Sequence, residues 1–551
     1  MKAKEEYLTR FLEGARRKFI IPVYQRPYRW KKENCELLLK DLKSVAEKTK
    51  DIHFFGGIVH IAKDDTDDEM HIVDGQQRIT TVSLLLLAIY NYIKENDIES
   101  TVIDTDEVFG EYVVGKYNKE TKLKLKLSGN DGIAYSNLLS GKEKVSNSQI
   151  TINYELFYGK LSEMSLQQVE GIYLAIKKLM IIDIALYTKH GDDPQLIFES
   201  LNSTGQKLTE SEKIQNYILM NLSADKQDVI YERYWLPIEQ KTDKQLDQFI
   251  QYYLAIKTRE TSKLDSLYFV FKKYRENKAD ISIEDIASDI LKYANYFHLI
   301  RNARSNSGYL SSIERLNFLK INTVYPLLMD FFEAKTKEII TEVELDKMLE
   351  ILESYLARRI LCNMSTGTLN KMFVSMGLEI EKLIEKHGIS YFDAFTYSIL
   401  SKSKNSRFPT DNEFEENFEK YELYNAKSET RKYILERLEN YNNRERVDVN
   451  GLLAEGKLSI EHIMPQSLTK EWKAMLGSDW ENIHVKWKDR IGNLTLSAYN
   501  SDYSNLSFEK KKTMPEKGFE FSKLFLNQFV KEQFAWAEKE QVLRGNLRHW
   551  K

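Results

Sequence analysis

Apolar positions along the chain fall into three textures. Up to about residue 222, short β-branched or apolar runs, "KFIIPVYQ", "FFGGIVHIA", "HIVDG" and "MIIDIALYT", predict strands, as does the period-two alternation of "KLKLKL" from Lys122 to Leu127. Helical spacing follows in "ITTVSLLLLAIYNYIKEN" and "TESEKIQNYILMNL", which makes this part an α/β domain. From 223 to 444 the pattern becomes almost wholly helical, as in "EVELDKMLEILESYLARRIL". Pro326 is the only proline between Pro237 and Pro409, so the predicted helices run uninterrupted. From 445 to 551 strand-like "SIEHIMPQSL" and "IGNLTLSAYN" return, with helix signals after Phe508, predicting a small α+β domain. The expectation is a multidomain α+β protein with domains 1–222, 223–444 and 445–551.

Length agrees with this division, since 551 residues exceed one core and suggest three or four domains of about 150 residues. With 80 Lys and Arg against 83 Asp and Glu, the net charge of -3 does not advertise a nucleic-acid partner, so any polyanion site must be a local patch. No apolar run approaches the ~20 residues needed to span a bilayer, and "MKAKEEYLTR" lacks a signal-peptide core; a cytoplasmic, membrane-free protein is expected. Two distant cysteines, Cys35 and Cys362, argue against disulfides and a cysteine-held zinc.

Candidate chemistry clusters at both ends. Glu461 and His462 are adjacent, followed by Asn493 and Asn500. Phosphodiester hydrolysis needs a base for water and a cation to stabilise charge on the phosphate; histidine suits the first role, and carboxylate and amide oxygens suit a hard ion such as Mg²⁺. A pair of neighbours on a strand can equally point to opposite faces.

In order, "EHIMP", "GNLTL", Asn500, Phe508 with Lys511 and Trp536 with Arg544 resemble the HNH (ββα-metal) nuclease half of the GmrSD-type, modification-dependent type IV restriction enzymes. The resemblance implies His462 as general base, Glu461 and Asn500 as ligands of Mg²⁺ or Mn²⁺, and Asn493 as the residue holding the loop in shape. Asn500 stands where a third histidine is common.

Near the other end, "IVDGQQRIT" predicts a strand, a glycine turn at Gly75 and a helix whose N-terminus, with Arg78, offers donors to an anion. Asp74 repels phosphate and must cap, pair with arginine, hold a cation or bond a ribose hydroxyl. "IPVYQRPYRW" adds Arg26 and Arg29 among aromatic faces suited to stacking, and "FESLNSTGQKLTESE" a polar turn before a helix start.

These three stretches resemble the N-terminal half of the same enzymes, a ParB/sulfiredoxin-like nucleoside triphosphatase. That resemblance places Gln25, Arg26, Asp74, Gly75, Gln76, Gln77 and Arg78 at a nucleotide site, with Glu199, Asn202 and Gly205 nearby; Glu212 replaces the usual Asp. The chain has no P-loop sequence. The whole implies an NTP-regulated, metal-dependent endonuclease acting on modified phage DNA, for instance DNA with glucosylated hydroxymethylcytosine, as a possible homodimer. The alternatives are a nuclease that senses host phosphorothioate marks and cuts unmarked DNA, and a non-enzymatic ParB-like nucleotide switch. "EKKKT" (509–513) could add phosphate contacts or form a charged helix face, and Arg358 and Arg359 sit on a predicted helix.

Overall fold

The computed structural model describes residues 1–14, 16–62, 69–114, 123–188, 191–201, 208–220, 222–304, 308–441 and 445–546. The chain packs as two compact units, residues 1–240 with 265–291, and residues 241–264 with 292–551. The 223–444 stretch is helical throughout its described residues, and its helices are shared between both units. Among the described residues no helix is long and apolar enough to cross a membrane.

The first unit is built on a six-stranded mixed sheet. Its strands are β1 (Lys2–Tyr7), β2 (Lys18–Ile20), β3 (His53–Ala62), β4 (Glu69–Asp74), β5 (Leu125–Lys126) and β6 (Leu179–Leu186), in the order β1-β6-β3-β4-β2-β5. β1 pairs antiparallel with β6, and β4 antiparallel with β3; the other neighbours are parallel. The Gln76–Glu95 helix is buried on nearly every side, which suits its unbroken apolar run Leu84–Ile89 and makes it the core element of the unit.

One expectation needs correction here, and one strand has no counterpart in the sequence pattern. The alternation of "KLKLKL" yields only the two residues of β5 plus a bridge from Leu123 to Val114; Lys122 lies outside the described residues. Lys124 is buried because its ammonium caps the carbonyls of Gly14 and Glu111, and burial lowers its pKa to about 8. β1 has no apolar signature in "KAKEEY". It forms because an edge strand needs only backbone pairing, with its polar side chains in water.

Among its described residues the second unit is helical except for a hairpin, β7 (Ser459–His462) against antiparallel β8 (Leu494–Ser497), with a tryptophan-rich core around Trp472, Trp487 and Trp536. Pro326 stands in the first turn of the Tyr325–Thr336 helix, where a missing N–H costs nothing.

Glu436 in this unit is raised to about 7, by burial first and then by Asp448 and Glu314, and one of its oxygens is buried without a hydrogen-bond partner among the described residues. The folded protein therefore holds the proton more tightly than the unfolded chain. The associated stability is fully present below pH 4.5 and is lost as pH rises through about 7. Glu436→Gln should raise stability by about 1–3 kcal/mol at pH 8 and by much less at pH 5.5. Thermal unfolding at the two pH values checks this; an equal gain at both would contradict it.

Candidate functional site

The hairpin presents the C-terminal candidates in register, with Glu461 opposite Thr495 and His462 opposite Leu494. Side chains alternate along a strand, so Glu461 and His462 leave β7 in different directions. Glu461 is buried, and the Lys511 ammonium donates to its Oε1 at 2.6 Å and to the carbonyls of His462 (2.9 Å) and Ile463 (3.3 Å). Burial raises the Glu461 carboxyl to about 7 and lowers Lys511, while their mutual attraction opposes both shifts.

His462 lies with its Nε2 3.4 Å from Asp489 Oδ1, its ring edge-on to Tyr424 at 4.3 Å between centroids, and the Gln466 amide 3.5 Å from the ring nitrogens. Burial pushes its pKa below the ordinary value, with Asp489 opposing. An imidazole in that condition is neutral near pH 7 and able to accept a proton.

Asn493 is fully buried and works as a pin. Its Oδ1 accepts from the Met464 amide (2.8 Å) and from Trp536 Nε1 (3.1 Å), while its Nδ2 donates to the carbonyls of Met464 (2.9 Å) and Lys488 (3.0 Å). It thereby ties the turn after β7 to the turn before β8. The distant Trp and Arg of the motif serve the same turn. Phe508 stacks on Trp536, and the buried Arg544 guanidinium donates to the carbonyls of Ile491, Gly492, Leu494 and Leu526.

Asn500 opens a short helix, Asn500–Tyr503, and donates from Nδ2 to the Ile460 carbonyl at 2.9 Å. That bond docks it beside the residue before Glu461 and leaves its Oδ1 without a hydrogen bond among the described residues.

Among the described residues no group of three or more His, Cys, Asp or Glu side chains could hold a metal ion. Glu461 and Asn500 supply one carboxylate and one amide oxygen. That donor set fits Mg²⁺, which keeps several waters and takes one or two protein oxygens plus substrate phosphate, and it does not fit a closed zinc site. Lys511 already occupies Oε1, so the other carboxylate oxygen is the available one.

"EKKKT" is not a uniform charged face. Lys511 is inside, and Lys512 reaches the Gln533 carbonyl at 2.8 Å and Glu520 at 3.7 Å. Arg358 pairs with Asp411 at 2.6 Å and Arg359 is buried against the Arg407 and Ser365 carbonyls, so both hold the helical fold together.

In the first unit β4 ends at Asp74, and Gly75 takes φ +93° before the Gln76–Glu95 helix; a Cβ there would also meet Ile58 and the Gly57 carbonyl at 3.0 and 3.1 Å. Beside this helix start lies a cavity of about 610 Å³, lined by Gln25, Arg26, Arg29, Gln76 and Gln77 among others. Gln77 accepts from the Arg29 amide at 2.8 Å and donates to the Pro27 carbonyl at 3.2 Å, fastening the "QRPYR" segment to the helix. Gln25 donates to the Val73 carbonyl at 2.9 Å. Gln76 is buried, and its Oε1 has no hydrogen-bond partner among the described residues. Arg26 is lowered by burial, and Arg29 pairs with Glu212 at 2.8 Å.

Asp74, Gly75, Arg78 and Glu199 do not line this cavity. Arg78 donates to the Gly57 carbonyl at 2.6 Å and pairs with Asp74 at 3.7 Å, and Asp74 also acts electrostatically on Arg26. Glu199 takes bonds from Tyr268 and Gln195 and an ion pair with Lys272 at 3.6 Å. Asn202 and Gly205 lie outside the described residues. Of the aromatic faces proposed for stacking, Tyr24 is buried and absent from the lining, whereas Tyr28 lines the cavity with its hydroxyl tied to Thr81 (2.7 Å) and Asn153 (3.0 Å).

Sequence reasoning missed a second helix start on this cavity, Ser128 to Asp131 at the head of the Gly129–Ser140 helix. Its "SGND" composition is an N-cap signal. It also missed Gln215, Tyr231 and Glu239 on the cavity wall, and Asp489 and Tyr424 beside His462.

Residues 8–219 match the N-terminal domain of GmrSD restriction endonucleases, and residues 408–547 match their C-terminal domain. A search of curated proteins found no match. The N-terminal match spans five of the six strands, all but β1, and most of the cavity wall; the C-terminal match spans the hairpin, Asn493, Asn500, Lys511 and Arg544. The chain belongs to the GmrSD restriction endonuclease family and carries both of its domains in one polypeptide, which makes it a nuclease of phage restriction.

Proposed function

We propose that this nuclease is an HNH enzyme that cuts modified DNA with a divalent cation, under the control of a nucleoside triphosphate bound in the N-terminal cavity. What supports this reading is that β7 carries both the buried, neutral His462 and the Glu461 carboxylate, and that the Asn500 amide docks on the same strand at Ile460. His462 takes the proton from the attacking water. Glu461 and Asn500 would hold the cation, which when bound stabilises charge on the phosphate and the departing oxygen. Asn493, through Met464 and Lys488, keeps the base and the start of β8 in fixed relation.

At the other end two helix N-termini, at Gln76 and at Gly129, meet a cavity lined by Arg26 and Arg29, donors suited to phosphate, and by the carboxylates Asp131, Glu212 and Glu239, of which Glu212 already pairs with Arg29. Modified bases such as glucosylated hydroxymethylcytosine are the proposed mark on the DNA.

Cutting of glucosylated and plain DNA, each with Mg²⁺ or EDTA and with each nucleoside triphosphate in turn, tests the reading. Cutting should require the metal, the modification and one nucleotide. Equal cutting in EDTA would remove the cation, and equal cutting of plain DNA would remove the modification. Arg26→Ala should weaken nucleotide binding about tenfold or more, the loss of one charge-assisted contact to phosphate, as measured by fluorescence titration. Unchanged affinity would place the nucleotide elsewhere.

A further inference from the structure

The base of the proposed reaction has a carboxylate partner that no motif announces. Asp489 lies in the turn between the Trp480–Trp487 helix and the 3₁₀ turn Ile491–Asn493. Its two oxygens are divided: Oδ1 lies 3.4 Å from His462 Nε2, and Oδ2 takes the Asn425 amide at 3.3 Å and Lys488 at 3.5 Å. Its own carbonyl accepts from the Tyr424 amide at 3.0 Å. That backbone bond holds Tyr424 where its ring meets the imidazole, and Arg431 lies over the tyrosine ring at 5.5 Å. The imidazole is thus held in its plane by an aromatic edge and aimed by a carboxylate that is itself anchored from behind.

We propose that Asp489 is a positioning residue for the nuclease: it accepts the Nε2 hydrogen of His462, selects that tautomer, and leaves Nδ1 as the ring atom that takes the proton from water. The inference rests on the reading of His462 as the base. A neutral imidazole carries one hydrogen on two nitrogens, and only the nitrogen without it can act as base. A carboxylate can only accept, so it fixes the hydrogen on the nitrogen facing it; a carboxamide in its place can donate and favours the opposite form. Because the bond to the Tyr424 amide comes from the Asp489 backbone, Asp489→Asn retains that link and the fold around it.

The test uses the full chain, deuterated and labelled with ¹⁵N-histidine, with the His462 signal assigned by its absence in His462→Gln. Long-range ¹H–¹⁵N correlation should show the Nε2–H form in the wild type and in Asp489→Glu, and a population of the Nδ1–H form in Asp489→Asn. In parallel, the cutting rate on glucosylated DNA should fall about 100-fold or more in Asp489→Asn, with KM for DNA and thermal stability nearly unchanged and with partial recovery in Asp489→Glu. An Nδ1–H tautomer in the wild type, an Asp489→Asn ring identical to the wild type, or unchanged cutting would each overturn the inference. If His462→Gln cuts like the wild type, the base assignment itself fails; if His462→Gln is inactive while Asp489→Asn is not, only the positioning role fails.

Discussion

Lys511→Met should destabilise the C-terminal unit by about 3–5 kcal/mol, because it leaves a carboxylate in the interior without its partner. The ammonium and the carboxylate are 2.6 Å apart with almost no exposure on either side, and the same ammonium satisfies the carbonyls of His462 and Ile463. The variant must therefore keep an uncompensated charge or protonate Glu461, and it also strands two backbone acceptors at the end of β7. The double variant Lys511→Met, Glu461→Gln separates these costs. It should recover roughly half of the loss, since the buried charge is gone and only the carbonyls remain unpaired. Denaturant unfolding of the four proteins in the cycle measures the coupling directly. Single-variant costs that simply add would show that the pair is a surface contact in solution.

Arg544→Ala should cost upwards of about 4 kcal/mol, from four carbonyls that lose a charged donor, at about 1–3 kcal/mol for each one left buried. The guanidinium is fully buried and faces the carbonyls of Ile491, Gly492, Leu494 and Leu526, three of which flank Asn493. Burial drives its pKa down to about 9, and the backbone acceptors hold a planar donor fork that lysine cannot reproduce. Arg544→Lys should therefore recover little. Because the turn before β8 loosens, the loss should appear in nuclease activity before it appears as global unfolding. A variant that unfolds at the wild-type denaturant concentration would contradict this role.

The sequence made the chemistry at β7 legible because it is local. Glu461, His462 and the strand period lie within four residues, and alternation already warned that the two side chains diverge. What joins them to the rest is not local. Lys511 looks like one of three solvated lysines on a short helix, and only the approach of that helix to the end of β7 turns one of them inward. Asp489 and Tyr424 stand 27 and 38 positions from His462 in ordinary turn and helix-end sequence, and nothing in their spacing announces them.

At the N-terminal end the strand–glycine–helix turn was readable from "IVDGQQRIT", because Gly75 supplies the only backbone geometry that fits. The split among its neighbours was not readable. Gln76 and Gln77 line the cavity, while Asp74 and Arg78 are not in its lining and pair at 3.7 Å, although Asp74 also acts electrostatically on Arg26 of the cavity wall. Nor was the split among the aromatic residues of "IPVYQRPYRW" readable: Tyr24 is buried away from the cavity, while Tyr28 lines it.

The most direct measurement is the rate of cutting of glucosylated DNA in Mg²⁺ by the wild type and by His462→Ala, with folding of both checked by circular dichroism. The account predicts a fall of about 100- to 10,000-fold with structure intact, the range expected when a general base is removed. Equal cutting by the two folded proteins would contradict it and move the chemistry away from the hairpin.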